Sequence, residues 1–176
     1  VPESFRKTLV DYGVQLIKGF KDPCCKYPQT AGYNAIRVGD MVFHNTRYTD
    51  PALLKKAMEL GLETMHVEQG YTRCSVLPVG LRAIITSDRG VAAAAERKEL
   101  DVLRISPACI SLPGEACGFI GGACGVMPDG SVVLLGDLDL HPDEDRIRDF
   151  FVFHDVNLIE LKGLPIYDAG SLIICG

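Results

Sequence analysis

The sequence predicts a single α/β domain built from repeated strand–helix–strand–strand units. Three observations carry this. Three apolar, strand-like runs, MVFHN, AIITSD and VVLLGD, open at residues 41, 83 and 132. Each is followed by a helix-patterned stretch and a second apolar run. Each unit then reaches a turn-rich or glycine-rich stretch and a further strand. The spacing of roughly 40 to 50 residues lies in the range of propeller and solenoid repeats. Composition agrees with one folded domain: 176 residues, 47% hydrophobic and 23% charged, long enough to bury a core.

In chain order, residues 3–38 read as the back part of a unit: a helix in ESFRKTLVDY, a strand in GVQLIKG and a closing strand in GYNAIRVG. Its opening strand is missing. The next unit, 41–82, opens on MVFHN. Asp50 is its expected helix N-cap, with Pro51 at the first helical position. Leu53, Leu54, Ala57, Met58 and Leu60 form one apolar stripe, and Gly61 ends the helix. ETMHV and VLPVG are its later strands. The unit 83–131 opens on AIITSD and carries the Ala-rich helix GVAAAAERKEL, the strand DVLRIS and the stretch ACGFIGGACG. The unit 132–176 opens on VVLLGD. Its helix starts at HPDEDRIRDFF, with Pro142 early and three acids in the first turn, which suits the helix dipole. VNLIEL is its strand, and DAGSLIIC is its closing strand. The alternative is one doubly wound sheet without true repetition. Equivalent polar positions favour repetition. Asn45, Asp88 and Asp137 each follow an opening strand. Cys74, the Gly121–Gly122 pair and Asp168 to Ser171 each follow the strand after the helix. In a radial array these positions converge on one axis.

Bulk charge excludes some partners. Net charge is −5 and the pI is about 5.3. Lys and Arg are scattered, so neither nucleic acid nor an anionic membrane is expected. No apolar run reaches the roughly 18 residues a membrane span needs. No leader-like segment opens the chain, so no secretion signal is expected. Seven cysteines at irregular spacing do not form a disulfide framework, which points to a reducing cytoplasm. Cys109 and at least one of Cys24 and Cys25 are expected as small buried hydrophobes.

ACGFIGGACG holds four glycines and two cysteines. It lacks the Gly-Lys-Ser/Thr of a phosphate loop. Cys117 and Cys124 stand too far apart for a metal clip, and no second Cys/His pair lies nearby. Its expected role is close backbone approach, which glycine permits. Its N–H groups could also face a ligand.

The segments VEQGYTRCS, AIITSDRG, GFIGGACG, GDLDLHPDEDRIRDF and DAGSLI resemble those of the pentein, or guanidino-group-modifying enzyme, fold. Within it they are most similar to a bacterial family that brings no activity with it. The likeness runs from about Tyr27 to Cys175. The fold it implies is an α/β propeller of five units around a central channel. The chain holds about three and three-quarter of these, so the resemblance implies truncation on the N-terminal side or completion by self-association. Enzymes of that fold use a cysteine near the C-terminal end, a histidine and paired carboxylates that hold a guanidinium.

Carried onto this sequence, the nucleophile is Cys175, by its place near the end of the last strand, or Cys74, beside Arg73, which could lower its pKa. His141 is the general acid or base, with a helix N-cap as its other reading. Asn45, Asp88, Asp137, Asp139, Asp168, Gly121, Gly122 and Ser171 line the ligand site. The acid-Gly-Gly-acid motif of arginine-processing relatives is absent; GFIGGACG stands in its place without the acids. The expectation is therefore a small-molecule-binding or inactive relative that takes a small cation in a polar pocket. The alternatives are a cysteine-dependent hydrolase or amidinotransferase for guanidino compounds, and a non-enzymatic interaction protein. Neither an organic cofactor nor a metal is expected.

Overall fold

The computed structural model describes residues 2–22 and 24–174. Three of its sheets repeat one pattern: an antiparallel hairpin, then a helix, then a third strand parallel to the second. The first contains β1 (Ile36–Val38), β2 (Met41–His44) and β3 (Glu63–His66), with α2 (Pro51–Glu59) between β2 and β3. The second contains β4 (Val76–Val79), β5 (Ala83–Thr86) and β6 (Asp101–Arg104), with α4 (Arg89–Glu96) as its crossover. The third contains β8 (Cys124–Val126), β9 (Val132–Leu134) and β10 (Leu158–Glu160), with α5 (Glu144–Phe153) between the last two. A short parallel pair joins β7 (Ile110–Ser111) to β11 (Ile166–Tyr167). Helix α1 (Glu3–Asp11) precedes the first sheet, and the single turn α3 (Thr72–Ser75) links the first sheet to the second. These are separate small sheets, not one doubly wound sheet.

The opening strands expected at 41, 83 and 132 are the central strands β2, β5 and β9. The hairpin joins each to the closing strand of the preceding unit. Each sheet therefore straddles a boundary drawn from the sequence. Asp50 caps α2 as expected, accepting from the Ala52 N–H at 2.8 Å, and Asp88 caps α4 through the Val91 N–H at 2.8 Å. Helix α5 starts at Glu144, two residues after Pro142, because Asp137 and His141 hold the chain in a separate 3-10 turn at Leu138–Leu140.

Two expected strands do not form. Residues 13–19 pair with no strand. The N–H groups that follow, of Phe20 and Lys21, donate to the Asp50 carboxylate at 3.0 and 2.7 Å. The DAGSLIIC segment is not a strand over its described residues. Gly170 at φ +87° and Ser171 at φ +140° break the extended backbone. Only isolated bonds, such as Leu172 N–H to the Cys124 carbonyl at 3.1 Å, tie it to β8. The cysteine expectation is also corrected: Cys24, Cys25 and Cys109 are exposed. Cys109 occupies a left-handed turn, φ +63°, just before β7.

Packing follows from strand alternation. On β5, Ala83 and Ile85 face one core, with Leu77, Val79, Leu134, Leu138, Ile147 and Ile166. Ile84, one residue between, faces the other core, with Val38, Phe43, Val76, Val91 and Ala95. Successive strand residues point to opposite faces, so the second sheet lies between both cores. The Ala-rich face of α4 buries Ala92, Ala94 and Ala95; small side chains let it lie close to β5 and β6. Among the described residues no helix is long and apolar enough to cross a membrane.

Candidate functional site

Four segments meet around Cys74. Helix α3 turns tightly because Thr72 Oγ1 donates to the Gln69 carbonyl at 2.7 Å and Ser75 N–H to Tyr71 at 2.9 Å. This buries the Cys74 side chain. The Asn34 carboxamide clamps the residue twice: its Oδ1 accepts from the Cys74 N–H at 3.2 Å, and its Nδ2 donates to Sγ at 3.2 Å. The thiol itself donates to the Gly170 carbonyl at 3.3 Å. Burial pushes the Cys74 pKa up and Asp168 adds to the rise; Asn34, Arg73 and Ser171 pull the other way without reversing it. Arg73 lowers the Cys74 pKa as expected, but desolvation outweighs the cation and the net shift is upward.

The glycine-rich stretch forms the floor. A Cβ on Gly121 would lie 2.7 Å from the carbonyl oxygens of Arg73 and Cys74, and one on Gly122 would overlap the Asp168 carboxylate. Both glycines are required by close approach, as the sequence suggested. Asp168 follows β11 and is 4% exposed. Its Oδ2 accepts from Phe119 N–H at 2.8 Å and its Oδ1 from Gly170 N–H at 2.8 Å. Among the described residues no cationic side chain pairs with it. The nearby Arg73 guanidinium donates instead to the Gly121 and Leu172 carbonyls, at 3.5 and 3.2 Å. Ser171 Oγ is buried near the Cys74 thiol without a hydrogen-bond partner among the described residues. A cleft of about 660 Å³ opens over this arrangement, its walls including Tyr71, Glu115, Cys117, Phe119 and Tyr167 beside Cys74 and Asp168. Among the described residues no histidine lines it.

The remaining predicted residues lie elsewhere. Asn45 holds its own turn, donating to the Glu68 carbonyl at 2.8 Å. Asp88 caps α4, accepts from Gln69 Nε2 at 3.0 Å and lines a different cavity, of about 690 Å³, with His66, Glu68 and Arg97. Asp88 and Asp137 share no cavity, so their expected convergence is not seen among the described residues. His141 has both ring nitrogens engaged: Nδ1 accepts from Asp143 N–H at 3.0 Å, and Nε2 donates to the Ser106 carbonyl at 3.2 Å. Burial lowers its pKa, and the neutral tautomer is locked in a structural role. His44 is likewise buried, between Thr49 and the Gly70 carbonyl. Cys175 lies outside the described residues.

Asp137, Asp139 and Glu160 bring carboxylate oxygens close enough for a metal ion. Lys162 Nζ already fills that position, at 3.0, 2.6 and 3.0 Å from the three, and Arg148 binds Glu160 at 2.6 Å. This is an ion-pair network, and its cations take the place a metal would occupy.

The model of a family described as "Family of unknown function (DUF6873)" matches residues 1–173. The chain belongs to that family. No curated protein and no solved structure matches it. In this DUF6873 chain the residues that sequence reasoning missed are Asn34, Tyr71, Glu115, Phe119 and Tyr167. Asn34 lies 40 residues from the cysteine it clamps, and nothing in its local sequence signals that contact.

Proposed function

We propose that this DUF6873 chain is a pentein-like repeat protein that binds a small organic cation in the cleft over Cys74. The repeated hairpin–helix–strand module supports the fold reading. One observation carries the ligand reading: Asp168 is a buried carboxylate at the cleft, without a cationic partner among the described residues. Buried charges are costly unless paired. Glu115 adds a second negative charge at the rim, and Tyr71, Phe119 and Tyr167 offer ring faces that attract cations. A planar guanidinium or amidinium would meet a carboxylate in two hydrogen bonds.

The test is calorimetric titration with methylguanidinium and tetramethylammonium. Binding of the planar cation is expected, weakened about three- to tenfold by Glu115→Gln. Glu115 is exposed, so the variant leaves the fold alone. No measurable binding, or binding unchanged by the variant, would sink the reading. A cysteine-dependent hydrolase or transferase is the second reading, because Cys74 faces the same cleft. It requires Cys74 to ionise on ligand binding, since burial holds the free thiol protonated at neutral pH.

A further inference from the structure

Helix α3 separates two clefts of opposite character. Cys74 and Gly170 face the acidic one. Arg73, next to Cys74, and Leu172, two residues after Gly170, line another, of about 480 Å³. The walls of this second cleft include Ile36, Leu81, Val126 and Ile174, with Arg37 and Arg73 as its charged groups and no acid among the described residues. Large apolar side chains stand open at its edge: Leu81 is 74% exposed and Ile173 84%.

Arg73 is partly buried, and among the described residues its side chain reaches two carbonyls. A guanidinium has five N–H donors, so three have no acceptor among the described residues. Arg37 spends its Nε–H on the Gly39 carbonyl at 2.7 Å, and its terminal nitrogens meet no acceptor among the described residues. Burial lowers the Arg73 pKa, the sign of a cation short of compensation. We infer that this cleft binds an aliphatic monocarboxylate, its head group on Arg73 and Arg37 and its chain against Leu81, Val126 and Ile173. The chemistry follows from two guanidinium groups lining one cleft, a fork geometry that suits a carboxylate, and an apolar wall that would leave water on occupation. This site is independent of the cation cleft.

The experiment is calorimetric titration of the chain with butanoate, hexanoate and octanoate, with hexylamine and 1-hexanol as controls. Affinity should rise about fourfold per added methylene. The amine and the alcohol should bind at least about tenfold more weakly than hexanoate. Arg37→Ala should weaken hexanoate about tenfold, Arg73→Met should abolish it, and Glu115→Gln should leave it unchanged. Absence of hexanoate binding, a flat chain-length series, or an alcohol as tight as the acid would overturn the proposal. Should Arg73→Met fail to fold, Arg37→Ala decides, because Arg37 is exposed; unchanged affinity in that variant refutes the site.

Discussion

At the scale of single residues, the thiols are sorted by environment. Cys74 is buried, and that burial raises its pKa. Cys24 is exposed, and hydrogen bonds from the Lys26 and Cys25 backbone lower its pKa. Thiolate fraction and access set alkylation rates. Iodoacetamide at neutral pH should therefore label Cys24 well before Cys74 when followed by mass spectrometry. Fast, selective labelling of Cys74 would instead support the covalent-enzyme reading. Single residues also show where sequence reading succeeds. Gly121 and Gly122 were legible because only glycine tolerates such close approach. Cys24, Cys25 and Cys109 were misread because residue type says nothing of which loop turns outward. His141 reads from the sequence as a general acid or base, or as a helix cap, yet its ring bonds the Ser106 carbonyl, 35 residues away.

At the scale of elements, the segment after β10 is pinned to the 3-10 turn by Asp137. Its carboxylate accepts from Gly163 N–H at 2.8 Å, pairs with Lys162 and accepts from Asp139 N–H at 3.0 Å. These contacts lower its pKa to about 2. An unfolded Asp titrates near about 3.9. Below that value the unfolded chain takes up the proton that the folded chain still refuses. The stabilisation is thus complete above about pH 4 and is lost as pH falls through about 2. Lys162→Met should raise the Asp137 pKa, measurable by carboxyl NMR titration, and move acid unfolding to higher pH. An unmoved acid transition would mean that the Gly163 and Asp139 N–H groups alone hold the carboxylate. Elements with local signals were legible: Asp50 with Pro51 announces α2. The strand expected at 13–19 was not, because a strand exists only with a partner.

At the scale of the whole molecule, the second sheet couples two cores through opposite faces of β5. Ile84 belongs to one and Ile85 to the other. Ile84→Ala and Ile85→Ala should each cost about 2–5 kcal/mol. Each should lower the entire thermal transition, read by calorimetry and by circular dichroism together. Two separated transitions in either variant would show that the cores melt independently. The repeat was legible because strand and helix periods recur. The site was not, because its four segments come from distant parts of the chain.

The third strand of each sheet has a consequence for behaviour at high concentration. The strands β3, β6 and β10 are edges, each a template on which a neighbouring chain could add a strand. Two of them carry open charges: Glu63 on β3, and Asp101 and Arg104 on β6. A second chain docking there would have to strip water from these groups or set like charges face to face. The outer rows therefore act as gatekeepers, holding a protein with several open sheet edges away from fibre growth.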